Sequence, residues 1–136
     1  IRGFSFALQQ HNLPLPKEYF CFCAGEDQVT EAAKRLASLP DPPTAIFVLN
    51  DIAASVAIQA LEAERLKIPD DISIIGFDDL SLRNPITTVR QDFYAIGYYS
   101  AQTALELLSE ENHPIQYLFI PVSVVPRYST APPKNN

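Results

Sequence analysis

Two patterns of apolar residues alternate along the first two-thirds of the chain. Helical spacing, with apolar residues three and four positions apart, runs from residue 1 and recurs at 28–39 and 52–66. Continuous apolar runs lie at 44–49 and 72–77, and such runs are typical of parallel strands covered on both faces. The aromatic and cysteine-rich stretch 19–23 predicts a further short strand. This alternation predicts an α/β fold built on a parallel sheet with right-handed crossovers.

The pattern changes in the last third of the chain. A helix is predicted over 94–109, followed by two short strands at 117–120 and 123–125 that Pro121 separates. Apolar residues occupy most sides of this helix, and Glu106 is its only formal charge. A helix that is apolar on most sides is normally buried against other elements over most of its circumference. Either the core of the chain wraps it, or its usual partner surface is absent.

Composition excludes several classes of protein. The 136 residues are 47% hydrophobic and 19% charged, which is a globular balance, and no apolar run is long enough to span a membrane. The net charge is −6, and the ten basic residues are scattered among sixteen acidic ones. Because a DNA-binding face must collect basic residues, this chain is not expected to bind DNA by itself.

The cysteines and histidines predict no metal site. Cys21 and Cys23 are two positions apart, where a disulfide would be strained, and His11 and His113 are far from them in sequence. We therefore expect two buried, reduced cysteines in a cytosolic protein, with neither metal nor cofactor.

The start of the chain predicts a missing N-terminal part. The sequence contains no methionine, and helical spacing is already under way at Ile1 without a capping residue. We expect the chain to be truncated at this end.

Polar residues follow the predicted strands. Ligands of an open parallel sheet bind beyond the carboxyl ends of its strands. Here those ends carry 25–27, Asn50 with Asp51, and Asp78 with Asp79. Amide and carboxylate groups suit a polyhydroxylated ligand such as a sugar.

These residues are not equally good candidates. Asp27 and Asp51 precede helices and are predicted to be N-caps, while Asp79 is explained as well by solvation. Asn50 and Asp78 remain as the predicted ligand-binding residues.

Catalysis is not expected. The four glycines form neither a nucleophile elbow nor a phosphate-binding loop. Asp78 and Asp79 with Asp51 could hold Mg²⁺ as in a phosphatase-like sheet, but the Lys and Ser or Thr that this chemistry requires are not evident in the sequence.

Five blocks carry a specific resemblance. The central block, 68–79, reads Ile-Pro-Asp-Asp-Ile-Ser-Ile-Ile-Gly-Phe-Asp-Asp. The other four blocks are 43–47, 50–51, 85–93 and 127–130. Together with Gly3-Phe4 and Ala7-Leu8 they resemble the lactose/galactose repressor (LacI/GalR) family of bacterial transcriptional regulators. The resemblance extends over nearly the whole chain.

The resemblance implies a periplasmic-binding-protein-like fold of type I, in which two three-layer α/β/α subdomains close on an effector. The chain would hold the C-terminal subdomain and the crossing helix of the N-terminal subdomain. The implied divisions are as follows: 1–89 as the C-terminal subdomain, 90–112 as crossover and helix, 113–130 as return strands, and 131–136 as a loose tail. Most of the N-terminal subdomain and the DNA-binding headpiece would lie outside this chain.

The resemblance also implies residue roles. Asn50 and Asp78 match positions that hydrogen-bond the effector, commonly a sugar, whereas Gln91 and Phe93 match hinge positions that border the pocket. The effector-binding Arg of the family falls three residues before Gly3, outside this chain. The implied partners are a small-molecule effector and a second copy of the chain, with DNA bound only through the headpiece and with no membrane.

Two departures from the family pattern concern the helix end and the dimer. Arg65 stands where the family usually has a helix-ending Gly, so this helix could end differently. The segment 80–85 is shorter than in better-known members, and it builds the family's dimer interface together with the outer face of 53–61. The dimer geometry is therefore open.

Three functions remain from the sequence. The first is the effector-binding and dimerisation part of a cytoplasmic regulator, the second a periplasmic sugar-binding protein of the same fold, and the third a small α/β hydrolase. A helix-turn-helix at the start of the gene would favour the first, a signal peptide the second, and metal-dependent hydrolysis that needs Asp78 the third.

Overall fold

Helices and short strands alternate as the sequence pattern indicates. In this computed structural model, which describes residues 1–109 and 117–133, the elements are, in order, α1 (Arg2–Gln10), a 3₁₀ turn (Lys17–Tyr19), α2 (Glu26–Ala37), β1 (Ala45–Phe47), α3 (Asp51–Ala63), β2 (Ser73–Asp78), β3 (Thr88–Arg90), α4 (Phe93–Ser109) and β4 (Ser123–Val125). None of the helices within the described ranges has the length and apolar character needed to cross a membrane.

The strands form one sheet in the order β1-β2-β3-β4. The first three are parallel, with Phe47 opposite Ile75 and Asp78 opposite Arg90. The last strand, β4, runs antiparallel to β3. The expectation of a parallel sheet is thus confirmed for the β/α core and wrong for the last strand, β4.

Helices cover the two faces of the sheet unequally. Ile46 and Ile74 point towards α2 and α3, and their side chains belong to one buried cluster with these helices. On the other face, Phe47 packs against Phe77 and stacks on Phe4 of α1, with ring centroids 5.8 Å apart in the stacked pair. The layers are therefore α2 with α3, the sheet, and α1, which agrees with the predicted three-layer α/β/α arrangement.

The core lies between the sheet and α3. Helix α3 is embedded because alanines on its inner face allow close approach to the strands. The buried apolar side chains are Ala33, Leu36, Ala54, Ala57, Ile58, Ala60, Leu61, Ile72, Ile74 and Ile86.

Two predicted strands are wrong. The stretch 19–23 ends the 3₁₀ turn and continues as an extended segment that belongs to no strand, and 117–120 is likewise not a strand. A strand needs a hydrogen-bonding neighbour, and sequence alone does not show whether one is present. The expectation of two buried cysteines is also wrong, since Cys21 is half-buried and Cys23 exposed, although both thiols are free.

The end of the chain is partly anchored. Ala131 exchanges two hydrogen bonds with the Ser73 hydroxyl, so the predicted loose tail is wrong at this residue. The predicted helix end at 110–112, the start of the return strands at 113–116 and the tail at 134–136 lie outside the described residues.

Candidate functional site

A polar rim forms where the parallel strands end. Asn50 and Asp78 each lie three positions beyond the paired residues Phe47 and Ile75, so both emerge at the same edge of the sheet. Gln91 directly follows β3, which is the next strand along this edge. The register thus brings three of the four predicted ligand-binding residues to one end of the sheet.

Asn50, rather than Asp51, is the N-cap of α3. Its Oδ1 accepts a hydrogen bond from the Ala53 amide at 2.8 Å, which satisfies one of the free amides in the first turn. Its two N–H donors have no partner among the described residues and can serve a ligand. Asp27 is not an N-cap either, because Gly25 holds that position in α2.

Asp51 is instead a buried carboxylate, only 1% exposed. It accepts hydrogen bonds from the Thr88 hydroxyl at 2.6 Å and from the Leu80 amide at 2.7 Å. These bonds tie the start of α3 to β3 and to the turn after β2. Asp51 therefore holds the rim together from beneath.

Gly76 makes room for this carboxylate. A Cβ at position 76 would overlap Asp51 Oδ1 and would lie 3.3 Å from Asp51 Cα. Sequence reasoning missed this role of Asp51, and the only signal for it was the glycine inside a buried apolar strand, which often marks a close approach of other groups.

Asp78 and Gln91 are joined directly. The Gln91 Nε2 group donates to Asp78 Oδ1 at 2.6 Å. The backbone of Asp78 has φ 105°, a conformation that costs energy and is found most often at functional sites. The structure therefore brings together two residues that the sequence proposed separately.

Phe93 opens α4, and its side chain is 53% exposed. Together with Gln91 it lines an open depression of about 500 Å³ between 90–93 and 121–123. Asn50 lines a different cavity, of about 580 Å³, beside β1. Within the described ranges, the four predicted residues thus share one side of the molecule without enclosing a single pocket.

Asp79 is not simply solvated. Arg127 donates to its Oδ1 and Arg90 to its Oδ2, each at 2.6 Å. The hydrogen bond from Arg127, with that from Arg90, lowers the pKa of Asp79 below its ordinary value of 3.8, against an opposing effect of burial. Because Arg127 also donates to the Ile86 carbonyl at 2.7 Å, it connects the block 127–130 to the residues at the end of β2.

The three carboxylates at the rim do not share a partner. Asp51 is bound to Thr88, Asp78 to Gln91, and Asp79 to the two arginines, so the three carboxylates point to separate partners. No group of three potential metal ligands occurs among the residues that the structure describes. The hydrolase hypothesis required Asp51, Asp78 and Asp79 to hold Mg²⁺ together, and this arrangement does not support it.

The comparisons with known proteins agree with this geometry. The family model described as "Periplasmic binding protein-like domain" matches residues 1–130. A probable HTH-type transcriptional repressor of Bacillus subtilis, ExuR, is 41% identical over 115 residues, which are 79% of this chain and 34% of that protein. The chain belongs to the LacI family of periplasmic binding protein-like domains.

Solved LacI-family structures share the fold. A putative LacI transcriptional regulator from Bacillus cereus subsp. cytotoxis has a TM-score of 0.88 and 28% identity over 95% of this chain and 48% of its own. A LacI family regulator from Enterococcus faecium with bound ribose has a TM-score of 0.79 and 27% identity over 97% of this chain and 50% of its own. This LacI-family chain thus spans about a third of the curated relative and about half of each solved structure.

Proposed function

We propose that this chain is the effector-binding and dimerisation part of a LacI-type transcriptional regulator, and that its effector is a sugar or a related neutral polyol. The observation that carries the proposal is the placement of Asn50, Asp78 and Gln91 at one edge of the sheet. The regulators among the relatives and the ribose bound to one structural neighbour support it.

The rim has the chemistry that a hydroxylated ligand needs. A sugar hydroxyl both donates and accepts hydrogen bonds. Asn50 retains two N–H donors, while Asp78 Oδ2 has no recorded partner among the described residues and can accept. Phe93 adds an exposed aromatic face on which a sugar ring can pack. The nearby Arg90 is paired with Asp79, which favours a neutral ligand over an acidic one.

The regulatory role follows from the same fold. Effector contacts from the rest of the protein would complete the pocket, and binding would shift the balance between open and closed subdomains. A DNA-binding headpiece outside these residues would then change its operator affinity. With a net charge of −6, this acidic chain would contribute no DNA contact of its own and would act in the cytoplasm as a binding module, not as an enzyme.

A calorimetric titration of the full gene product with ribose and with glucose tests the ligand site. Asp78→Asn keeps a residue that tolerates positive φ but removes the negative charge. We expect Kd to rise at least tenfold. Asp70→Asn is the matched control, because Asp70 is exposed and precedes β2 at the opposite end. Unchanged affinity in Asp78→Asn would defeat the assignment, and a wild-type protein that binds no neutral monosaccharide would defeat the ligand class.

The proposed dimer surface lies on the outer side of α3. Ile52 is 53% exposed there, and Val56 and Gln59 continue the same helical stripe. We expect Ile52→Lys to weaken the homodimer of the full gene product at least tenfold in sedimentation analysis. Glu31→Lys, on the exposed side of α2, is the control. An equally tight dimer in both variants would contradict this surface.

A further inference from the structure

One carboxylate binds both strands that connect the sheet to α4. The chain leaves the sheet through Arg90, the last residue of β3, and comes back to it in β4. Asp79 Oδ2 accepts a hydrogen bond from Arg90, and Asp79 Oδ1 accepts one from Arg127, just after β4, each at 2.6 Å. These three residues are called the Asp79 clasp. Each carboxylate oxygen of the clasp thus serves one of the two connections.

The turn after β2 holds the Asp79 carboxylate in place. The side chain of Asp79 is only 13% exposed. Its backbone has φ 61° and that of Asp78 has φ 105°, so two successive residues adopt a conformation that is uncommon for residues other than glycine. The Leu80 amide that follows donates to the buried Asp51 carboxylate at 2.7 Å. The clasp is therefore attached to the packed core, and the two arginines are held from there.

The clasp lies beside the contact between two predicted ligand-binding residues. Asp78 accepts a hydrogen bond from Gln91 at 2.6 Å. The next residue, Asp79, binds Arg90, which directly precedes Gln91. The turn after β2 is thus linked twice to the end of β3. Groups that contact a ligand keep their geometry when the groups around them are bound as well, and the second link holds the backbone from which the Gln91 side chain extends.

The same two connections form the walls of the depression at the rim. Residues 90–93 line one side of it and 121–123 the other. No residue of α4 is buried, so this helix does not fix the walls against the core. The last ladder pair between the walls is Arg90 with Ser123. Neither Asp79 nor Arg127 lines the depression, but their ion pair secures β4, which begins at the second wall.

We propose that Asp79 is a positioning residue of the ligand site: its carboxylate sets the spacing of the two connections and so holds Gln91 and Phe93 in place for a ligand. The inference rests on the proposed function for its ligand, whereas the placement of Gln91 can be measured without one. Arg90 is 52% exposed, and ion pairs at exposed side chains contribute little to stability. A change at Arg90 should therefore affect ligand affinity more than folding.

The Gln91 side chain reports on the clasp in the absence of ligand. The NMR order parameter of its Nε2 group is high when the group is held against Asp78 and low when it moves freely. We expect it to fall below about 0.6 in Asp79→Asn and in Arg127→Gln, although Arg127 binds Asp79 and not Gln91. A low value in the wild type, or no fall in either variant, overturns the proposal.

Two further variants separate positioning from loss of stability. Ser129→Ala removes two buried hydrogen bonds near the start of β2, away from the clasp, and should leave the Gln91 order parameter unchanged. A fall as large as that in Asp79→Asn would show a general loosening and would overturn the proposal. Arg90→Gln replaces a half-exposed side chain, so it gives the answer if Asp79→Asn does not fold.

Calorimetry of the full gene product with ribose provides the second arm. Asp79→Asn and Arg90→Gln should each raise Kd about fivefold, and the double variant should raise it no further, because both changes break the same link. An unchanged Kd in both single variants, or effects that multiply to about 25-fold in the double variant, overturns the proposal. A wild type that binds neither ribose nor glucose contradicts the proposed function alone, and the order parameter of Gln91 then decides whether Asp79 positions it.

Discussion

At the scale of single residues, the end of α3 shows how an unfavourable residue is accommodated. Arg65 has φ 67°, the left-handed conformation for which glycine is preferred. The Leu66 amide bonds to the Leu61 carbonyl and the Arg65 amide to the Glu62 carbonyl, so the usual hydrogen-bonded helix end forms despite the side chain. The expectation that the missing glycine could change the helix end is therefore wrong.

Arg65→Gly should stabilise the chain by about 1 kcal/mol, because it relieves the left-handed strain. The measurement is the free energy of unfolding in urea. Glu62→Gly, inside the same helix, is the control and should cost about 1 kcal/mol. Loss of stability in Arg65→Gly would show that the side chain contributes more than its backbone strain costs.

Gly76 leaves the space that the Asp51 carboxylate occupies. Gly76→Ala should destabilise the chain by about 3 kcal/mol, because the added methyl group displaces the Asp51 carboxylate from Thr88 and Leu80. Gly97→Ala is the matched control, since nothing lies within 4 Å of a Cβ there and α4 should gain helix propensity. Thermal unfolding of the two variants separates them, and equal melting temperatures would contradict the packing described for Asp51.

At the scale of elements, α4 differs from the other long helices. The sequence predicted a helix over 94–109 that is buried on most sides. In the structure, α4 covers nearly the same residues, and none of them is buried. Tyr98 is 56% exposed and Leu108 86%. Within residues 1–109 and 117–133 the core does not bury this helix, and cover by dimerisation, swapping or repacking stays a prediction.

Replacing Leu105 and Leu108 together by Lys should leave the free energy of unfolding within about 0.5 kcal/mol of the wild type, because both side chains are exposed. Light scattering should show less self-association. Leu61→Lys, at a position with no exposed surface, is the contrasting variant and should prevent folding. A loss of more than about 2 kcal/mol in the double variant would mean that α4 is packed in solution.

At the scale of the whole molecule, the Asp79 ion pairs join distant parts of the chain. Arg127 is 48 positions away from Asp79, and its ion pair connects the block after β4 to the turn after β2. The Arg127 side chain is 24% exposed and that of Asp79 13%, so this pair is screened less than a surface pair.

Stability should therefore fall in acid. The pKa of Asp79 is lowered in the folded chain, so between the folded and unfolded pKa values the unfolded state binds more protons. The stabilisation is complete above the ordinary pKa of 3.8 and is lost as the pH falls towards the folded value.

Asp79→Asn should cost about 2 kcal/mol near neutral pH, and this difference from the wild type should shrink below about pH 4. Urea unfolding at a series of pH values measures it. Asp70→Asn, at an exposed position, is the comparison. A difference for Asp79→Asn that stays constant down to pH 2 would contradict the ion pairs.

The sequence by itself determined the order of helices and strands in the β/α core. Periodicity shows which side of each element must be buried, and that requirement holds before any neighbour is known. The same reasoning placed Asn50 and Asp78 at one edge, because parallel strands end together. Their part in ligand binding, with that of Gln91 and Phe93, stays a prediction.

Only the tertiary structure decided which groups meet. Asn50 and Asp51 are equally good N-caps by residue type, and Asp51 turns inward because Gly76 leaves space and Thr88 supplies a donor. The segment 20–23 pairs with no strand within the described part of the chain. Such outcomes depend on contacts between residues far apart in sequence, which local patterns do not encode.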